Sequence, residues 1–276
     1  MLRVKQYIKN VLIFAPCFFG AKLCTLDTFS SLFVTFIGFS FITSFIYILN
    51  DIRDKDLDKL HSVKKDRPVA SGKVENKSAL FISLILLILG FILTINSIKV
   101  VLVYLFLNLL YIFFLKKIAI IDIIIVALGY VIRLFVGTSV CPDVPLSHWI
   151  IIMTFLLSLF LVASKRYDDL LQDDEKIRPC LKDYSKTFLI SLMSILVAVI
   201  LVAYILYTLS PTVLKFFGCT NLYLTALFVF IGLLRYLQLT IVLKSATSPT
   251  TVVYSDNIIK LSILFWILSF VWIIYL

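Results

Sequence analysis

The chain has 276 residues, of which 61% are hydrophobic and only 15% are charged, and its mean hydropathy is +1.06. Soluble domains carry about 25% charged residues, and a chain this apolar cannot hide its surface in one water-soluble core. The sequence also lacks the alternating short strands of an outer-membrane barrel, so its composition favours an all-α, polytopic membrane protein.

Nine apolar segments approach the roughly 20 residues that span a bilayer as a helix. The predicted transmembrane helices cover residues 10–26, 28–50, 78–97, 99–115, 121–140, 147–164, 187–209, 220–243 and 258–276. The first is the weakest, because Pro16 and Lys22 interrupt a short apolar run, and eight helices with a re-entrant first segment are the alternative. No loop is long enough to fold alone, so residues 1–276 are expected to form a single integral membrane domain.

The basic residues predict which side of the membrane each loop faces. With a cytoplasmic N-terminus, 20 of the 26 Lys and Arg residues lie in the inside segments 1–9, 51–77, 116–120, 165–186 and 244–257. The outside connections hold only Lys22, Lys99 and Lys215. This asymmetry follows the positive-inside rule and predicts a multi-pass protein of the inner cell membrane, with its site facing the cytoplasm.

The net charge of +10 is explained mostly by this topology and by attraction to anionic lipids and phosphates. Nucleic acid is excluded as a partner, because the basic residues alternate with carboxylates at a membrane surface and no recognition module surrounds them. The five cysteines form no pair with metal-binding spacing, and we predict that they are ordinary apolar filler. They are Cys17, Cys24, Cys141, Cys180 and Cys219.

An acidic cluster follows the second predicted span. Asp51, Asp54 and Asp58 fall on one stripe of a helix with 3.6 residues per turn. Asn50 lies on the flank of this stripe and Asp56 points elsewhere. Because three carboxylates on one stripe repel one another, the pattern is costly without a cation. Mg²⁺ prefers oxygen ligands and typically combines one or two carboxylates with substrate phosphates, so we predict a Mg²⁺ site on the three aspartates.

Basic residues in the two long inside loops are candidates for binding phosphate. Arg67 lies shortly after the acidic cluster, and its guanidinium can fork onto a phosphate. Lys165 and Arg166 emerge directly from the sixth span, where they either reach lipid headgroups or bind a diphosphate. Asp169 and Asp173, four residues apart, have the spacing of a second carboxylate pair on one helix face.

Arg133 lies inside the fifth predicted span. An arginine at membrane depth is costly and is a functional-site candidate by default. The alternative is a buried ion pair, with Asp122 as the partner, that holds the helices together. The sequence does not decide between the two.

The pattern at residues 50–58 resembles the first signature of the UbiA-type polyprenyl transferases, a family of nine-helix membrane enzymes. Further motifs resemble its decaprenyl-phosphate phosphoribosyltransferase branch. They are Arg3-x-Lys5-Gln6-Tyr7-x-Lys9-Asn10, Arg67-Pro-x-Ala70-x-Gly72, Leu115-Lys116-x-x-x-Ile-Ile-Asp122, Gly129-x-x-Ile-Arg133 and Lys165-Arg166-Tyr167. The resemblance covers essentially the whole chain, although its motifs lie in the first two thirds.

The resemblance implies a Mg²⁺-dependent transfer of 5-phosphoribose from phosphoribosyl diphosphate to a polyprenyl phosphate, with release of diphosphate. The lipid tail is expected in a groove open to the bilayer. The sequence does not decide whether the chain forms a homo-oligomer. Catalysis then requires only that two anions are positioned and that the leaving group is stabilised. The residues expected to bind the substrates are Lys9, Asn10, Asn50, Arg67, Lys117, Arg133, Lys165, Arg166, Tyr167 and Asp169.

Two other functions compete with this one. A conventional prenyltransferase of the same fold, with a polyprenyl diphosphate as donor and an aromatic or other small acceptor, would use the same acidic motif. The basic first segment and the Lys165-Arg166-Tyr167 motif favour the phosphoribosyltransferase. A transporter would show inverted repeats and broken helices at the bilayer midplane, and the sequence shows no internal repeat.

Overall fold

The computed structural model of the chain describes residues 2–20, 25–60, 64–144, 146–172, 178–243, 252 and 255–275. Within these residues the secondary structure is helical throughout, as the composition predicts. The chain divides into two compact units, each described here by itself. Unit 1 contains residues 1–146 and 174–180, and unit 2 contains residues 147–173 and 181–276.

The helices of both units follow in chain order. The α-helices are α1 Ala15–Phe19, α2 Leu26–Arg53, α3 Lys55–Leu60, α4 Asn76–Leu93, α5 Ile98–Phe113, α6 Ile121–Val140, α7 His148–Leu171, α8 Lys186–Leu209, α9 Pro211–Phe217, α10 Ala226–Leu237 and α11 Asn257–Tyr275. The 3₁₀ helices are Val4–Phe14, Lys64–Asp66, Ile95–Ser97, Leu115–Lys117, Pro179–Asp183 and Leu222–Thr225. A π-helical turn, Gln238–Val242, continues α10.

Eight helices in the described part of the chain are long and apolar enough to cross a membrane. They match eight of the nine predicted spans. The first predicted span, 10–26, is not a continuous helix, because the 3₁₀ helix Val4–Phe14 precedes α1, which ends at Phe19. Pro16 stands at the start of α1, where its missing N–H costs nothing but an α-helix cannot continue unchanged from the preceding turn.

Two helices are longer than predicted and carry site residues on their extensions. The sequence predicts that the helix over 147–164 ends before Lys165, whereas α7 continues to Leu171. The helix α2 has 28 residues and is therefore about 42 Å long, against a hydrocarbon core of about 30 Å. Asp51 lies in its last turn. The extensions place charged residues on rigid helix rather than on loops.

In unit 1, glycines allow α2 and α4 to pack closely. A Cβ added at Gly90 would lie 2.9 Å from the carbonyl oxygen of Gly38 and 2.5 Å from the side chain of Ile42. At Gly38 it would lie 2.6 Å from Cβ of Leu93. Small residues let transmembrane helices approach to backbone contact, where van der Waals packing and not the hydrophobic effect drives association. This pair forms the rigid support of the acidic cluster.

The N-terminal segment of unit 1, residues 2–19, runs beside α6 in matching register. Asn10 accepts a hydrogen bond from Arg133, and a Cβ added at Gly137 would overlap the carbonyl oxygen of Ile13. One turn further, Cys17 is disulfide-bonded to Cys141. The prediction that all the cysteines are apolar filler is therefore wrong for this pair. Their 124-residue separation hid the pairing, because only the packing of the segment on α6 brings the two sulfurs together.

Unit 2 contains α7, α8, α10 and α11, with polar groups joined by hydrogen bonds. Tyr204 of α8 is bonded to Thr225 over 2.6 Å and accepts a hydrogen bond of 2.8 Å from Trp266 of α11. Ser164 of α7 is bonded to Thr240, in the π-helical turn, over 3.2 Å. Buried hydroxyls need such partners because unsatisfied polar groups are costly in the bilayer.

Candidate active site

The acidic cluster lies where α2 passes into α3. Hydrogen bonds from the amides of Asp54 and Asp58 to the residues four positions earlier carry the helical register across the junction. Asp51 and Asp58 are both buried, at 5% and 3% exposure. Nη1 of Arg67 contacts both carboxylates, at 3.1 Å from Asp51 and 2.6 Å from Asp58. Arg3 contacts the same oxygen of Asp51 from another direction.

The third aspartate is bound differently. Asp54 forms an ion pair with Lys116, at the turn between α5 and α6. Beside it, Arg53 donates to the carbonyl oxygens of Ile112 and Phe113 at the end of α5. A cation there satisfies free carbonyls and opposes the negative end of the helix dipole. The junction is thus fastened to the α5–α6 turn by two neighbouring residues.

Near the cluster, the side chains of Asp56 and Lys117 are exposed to solvent. Asp56 is 90% exposed and accepts a hydrogen bond from Lys59, which lowers the pKa of its carboxyl below the ordinary value. Lys117 is exposed, and the basic residue that reaches the cluster is its neighbour Lys116. Asn50 is half-buried, and its backbone carbonyl accepts the amide of Asp54.

The donor set of the cluster fits a divalent cation. Within the described residues, no group of three or more His, Cys, Asp or Glu side chains is arranged to hold a metal ion. Asp51 and Asp58, however, already share one cationic nitrogen of Arg67. Two carboxylates that converge on one cation, with further oxygens supplied by substrate phosphates, are the ligands that Mg²⁺ usually takes in proteins.

The N-terminal segment is attached to α2 by polar contacts that lead to the acidic cluster. Ser44 is bonded to the hydroxyl of Tyr7 over 2.8 Å and donates to the carbonyl oxygen of Leu2 over 3.0 Å. One turn later, the guanidinium of Arg3 lies over the ring of Tyr47, 5.1 Å from its centroid. Burial lowers the pKa of Arg3, while the charge of Asp51 opposes that shift.

Asn10 and Arg133 form a buried polar site between the segment, α2 and α6. The amide nitrogen of Asn10 donates to Ser40 and Thr43 over 3.0 and 3.3 Å, while its oxygen accepts Nε of Arg133 over 2.9 Å. Asn10 is therefore almost fully buried and hydrogen-bonded on both sides. Lys9, next to it, is half-buried.

Arg133 makes its remaining contacts with neutral groups. Its two terminal nitrogens donate to the carbonyl oxygen of Gly129 over 2.6 Å and to the hydroxyl of Tyr104 over 3.0 Å. Its guanidinium also lies 5.1 to 5.5 Å from three ring centroids, those of Phe39, Tyr104 and Tyr130. The alternative of an ion pair with Asp122 is wrong, because 11 residues of helix separate the two by about 16 Å. The cation is stabilised instead by oxygens and aromatic faces.

In unit 2, the last two turns of α7 form a basic cluster of Lys165, Arg166, Tyr167 and Asp169. Both basic side chains contact Asp169, Lys165 at 3.3 Å and Arg166 at 3.2 Å. Arg166 and Tyr167 are buried, at 3% and 5% exposure, whereas the Lys165 side chain is 39% exposed. The predicted partner of Asp169, Asp173, lies outside the described residues.

The structure adds two residues to those predicted for the site, Arg3 and Lys116. Both stand in motifs that carried the family resemblance, but no role was predicted for either. Lys116 and Lys117 are adjacent in a 3₁₀ turn, and hydropathy cannot tell which of them faces the carboxylates. Arg3 is 48 residues from Asp51, so no local spacing connects them.

The comparisons with known proteins identify the family. Residues 13–264 match the UbiA prenyltransferase family, which is nearly the whole chain. The chain belongs to the UbiA prenyltransferase family. This confirms the resemblance drawn from the acidic pattern, and with it the expectation of an all-helical membrane transferase.

Curated relatives in the UbiA family are decaprenyl-phosphate phosphoribosyltransferases. The chain is 34% identical to the one from Mycobacterium tuberculosis over an alignment of 199 residues, which covers 68% of this chain and 66% of the relative. It is 29% identical to the one from Corynebacterium glutamicum over all of this chain and 86% of that protein. These relatives confirm the resemblance to that branch.

Solved UbiA structures share the fold. A UbiA homolog from Archaeoglobus fulgidus bound to DMAPP and Mg²⁺ superimposes with a TM-score of 0.70 at 16% identity, covering all of this chain and 98% of that one. The same homolog has also been solved bound to Cd²⁺. That homolog thus binds divalent metal ions.

Proposed function

We propose that this protein transfers 5-phosphoribose from phosphoribosyl diphosphate to a polyprenyl phosphate and releases diphosphate. The observation that carries the proposal is the buried pair Asp51 and Asp58, bridged by Arg67 and contacted by Arg3. Buried carboxylates beside several basic side chains can bind a metal ion together with a densely charged anion. The relatives named decaprenyl-phosphate phosphoribosyltransferase supply the donor and acceptor classes.

The reaction makes one bond and breaks one. An oxygen of the lipid phosphate attacks the anomeric carbon of the ribose, and the bond from that carbon to the diphosphate breaks with its electron pair on the diphosphate. The attacking oxygen is already anionic, so no strong general base is needed. The protein therefore has to position two anions that repel each other and to stabilise the charge of the leaving group.

We assign the charge-stabilising role to side chains of the acidic cluster. In unit 1, Arg67 donates to the diphosphate, and Asp51 and Asp58 are the proposed ligands of Mg²⁺, with Asp54 beside them. Bound Mg²⁺ supplies neutralisation of the diphosphate oxygens. In unit 2, Lys165, Arg166, Tyr167 and Asp169 stay predicted substrate contacts from the sequence motif, and Asp169 pairs with both basic side chains.

The acceptor phosphate is proposed to bind near Lys9, at the cytoplasmic entrance of the first predicted span. Asn10 and Arg133 are bonded to each other in the buried polar site. Those two residues then hold the N-terminal segment in place and do not contact the substrate. Lys117, which is exposed, and Asn50 are proposed only as outer contacts of the substrates. The polyprenyl tail is proposed to lie against the bilayer-facing helices.

We propose an inner-membrane location with the acidic cluster in the cytoplasm. Two observations support this orientation. The inside segments hold most of the basic residues. The Cys17–Cys141 disulfide lies just after the C-terminal end of α6, whereas Asp122 lies in the first turn of that helix. Disulfides persist on the oxidising side of a membrane, which supports an outside position for the C-terminal end of α6.

A direct transfer assay tests the function. The purified protein is incubated with Mg²⁺, polyprenyl phosphate and phosphoribosyl diphosphate radiolabelled in the ribose, and the lipid phase is extracted. We expect label in the lipid phase of the wild type and none for Asp51→Asn. A parallel reaction with a labelled polyprenyl diphosphate and an aromatic acceptor tests the alternative prenyltransferase. Alkylated acceptor without phosphoribosylated lipid would contradict the proposal.

A further inference from the structure

Arg3 occupies an unusual place in the acidic cluster. It comes from the far end of the sequence, yet its guanidinium contacts Oδ1 of Asp51, the same oxygen that Nη1 of Arg67 contacts at 3.1 Å. Two positive charges that converge on one carboxylate oxygen repel each other, so each reduces the net attraction of the other to Asp51. Arg67 also contacts Asp58, whereas the carboxylate that Arg3 contacts is that of Asp51.

The whole cluster is balanced in charge. The three carboxylates of Asp51, Asp54 and Asp58 are contacted by three basic side chains, those of Arg3, Arg67 and Lys116. A divalent cation added to Asp51 and Asp58 leaves two positive charges in excess. A diphosphate carries enough negative charge to restore the balance, so the cluster favours binding of the metal and the diphosphate together.

The backbone of Arg3 has a strained conformation that the neighbouring contacts maintain. Arg3 has φ 50° and ψ 46°, a left-handed conformation that non-glycine residues rarely adopt. The neighbouring contacts hold it there: the carbonyl of Leu2 accepts from Ser44, and the Arg3 guanidinium packs over Tyr47. Such strain persists only where surrounding contacts enforce it, and it concentrates at functional sites.

We propose that Arg3 is a diphosphate-binding residue of the donor site, which leaves Asp51 for the diphosphate when a divalent metal ion binds to that carboxylate. The inference rests on the proposed function and deepens it by naming a residue for the diphosphate group. The guanidinium exchanges a carboxylate oxygen of Asp51 for an oxygen of the diphosphate. Its planar, forked set of N–H donors suits phosphate oxygens. No covalent step involves it.

This assignment predicts opposite effects on two ligands. Replacing Arg3 by a neutral residue removes a positive charge beside Asp51, so a metal ion alone binds more tightly. The same change removes a donor to the diphosphate, so diphosphate in the presence of metal binds about 10- to 100-fold more weakly. A purely structural arginine would change both affinities in the same direction or neither.

The experiment uses the full-length protein in detergent, with Mn²⁺ as a paramagnetic probe of the metal site and inorganic pyrophosphate as the anion. Mn²⁺ affinity is measured by electron paramagnetic resonance, and pyrophosphate affinity by calorimetry at saturating Mg²⁺. The variants are Arg3→Gln and Arg3→Lys. The matched control is Lys59→Gln, which removes one positive charge from the solvent side of the same acidic helix.

We expect Arg3→Gln to tighten Mn²⁺ and weaken pyrophosphate, and Arg3→Lys to leave Mn²⁺ unchanged while weakening pyrophosphate severalfold. The control should match the wild type within about twofold for both ligands. Pyrophosphate affinity of both Arg3 variants within twofold of the wild type overturns the inference, as does equal weakening of both ligands. Pyrophosphate contains neither ribose nor isoprenoid, so a wild type that binds it but transfers no phosphoribose contradicts the proposed function alone.

Discussion

The acidic cluster of unit 1 and the basic cluster of unit 2 obtain their counter-charges in different ways. Asp51 is contacted by Arg3 and Arg67, which are 48 and 16 residues away in the sequence. Asp169 is contacted by Lys165 and Arg166, four and three residues before it on the same helix. The first arrangement depends on how distant segments pack, whereas the second forms wherever α7 is helical. Substitutions that disturb packing should therefore affect the two clusters unequally.

The largest effect is expected at the buried carboxylate of unit 1. Asp51→Asn removes the oxygen charge shared by Arg3 and Arg67 and a proposed metal contact, so transfer activity should fall by about 100-fold or more. Asp56→Asn is the matched control, because that side chain is 90% exposed and pairs with Lys59 on the surface. Initial rates of lipid labelling measure both. An equal loss of activity in the two variants would show that the net charge of the helix matters and that the position of the carboxylate does not.

The next effect tests the local cluster of unit 2. Arg166→Lys keeps the positive charge but loses the planar fork that binds phosphate at two points. If Arg166 binds the diphosphate, kcat/KM for the donor should fall by roughly 100-fold, about 3 kcal/mol of transition-state binding. Thermal stability should barely change, since a lysine can still reach Asp169. Activity within twofold of the wild type would remove Arg166 from the site.

A packing change should separate the clusters. Gly137→Ala places a Cβ against the carbonyl oxygen of Ile13, so the N-terminal segment must shift, at a cost of about 1–3 kcal/mol. We expect a lower melting temperature and loss of activity, because Arg3 and Asn10 move with the segment. Gly232→Ala in unit 2 is the control, since a Cβ added there would lie 3.7 Å from Cβ of Ser262, at ordinary van der Waals distance. Matching melting curves for the two variants would contradict the close packing.

The smallest effect on activity is expected from the disulfide. Cys141→Ala frees the end of the N-terminal segment while the hydrogen bonds of Asn10 and Arg3 remain. Disulfides commonly contribute about 2–4 kcal/mol, so the melting temperature should fall while activity at low temperature stays near normal. Cys219→Ala, at a free cysteine, should change neither. An unchanged melting temperature for Cys141→Ala would show that the bond does not restrain the segment.

The comparison also explains what could be predicted from sequence. Apolar length alone placed α6 at its observed bounds, 121–140, and helical spacing placed Asp51 and Asp58 on one side of the junction. The extension of α7 to Leu171 was missed, because hydropathy falls where the membrane ends but the helix does not. The pairs Arg3–Asp51 and Cys17–Cys141 were also missed, since each joins residues that only the packing of the N-terminal segment brings together. Contacts within one or two helical turns follow from a sequence pattern, and these do not.

The register of the N-terminal segment on α6 has a consequence for biogenesis. The segment is synthesised before α6, so it can pack against that helix only after α6 has been translated, and Cys17 must wait for Cys141, 124 residues later. Until then, Asn10 can bond to Ser40 and Thr43 of α2 but not to Arg133 of α6. The N-terminal segment is therefore among the last parts of unit 1 to reach its final position, although it is translated before α2 to α6.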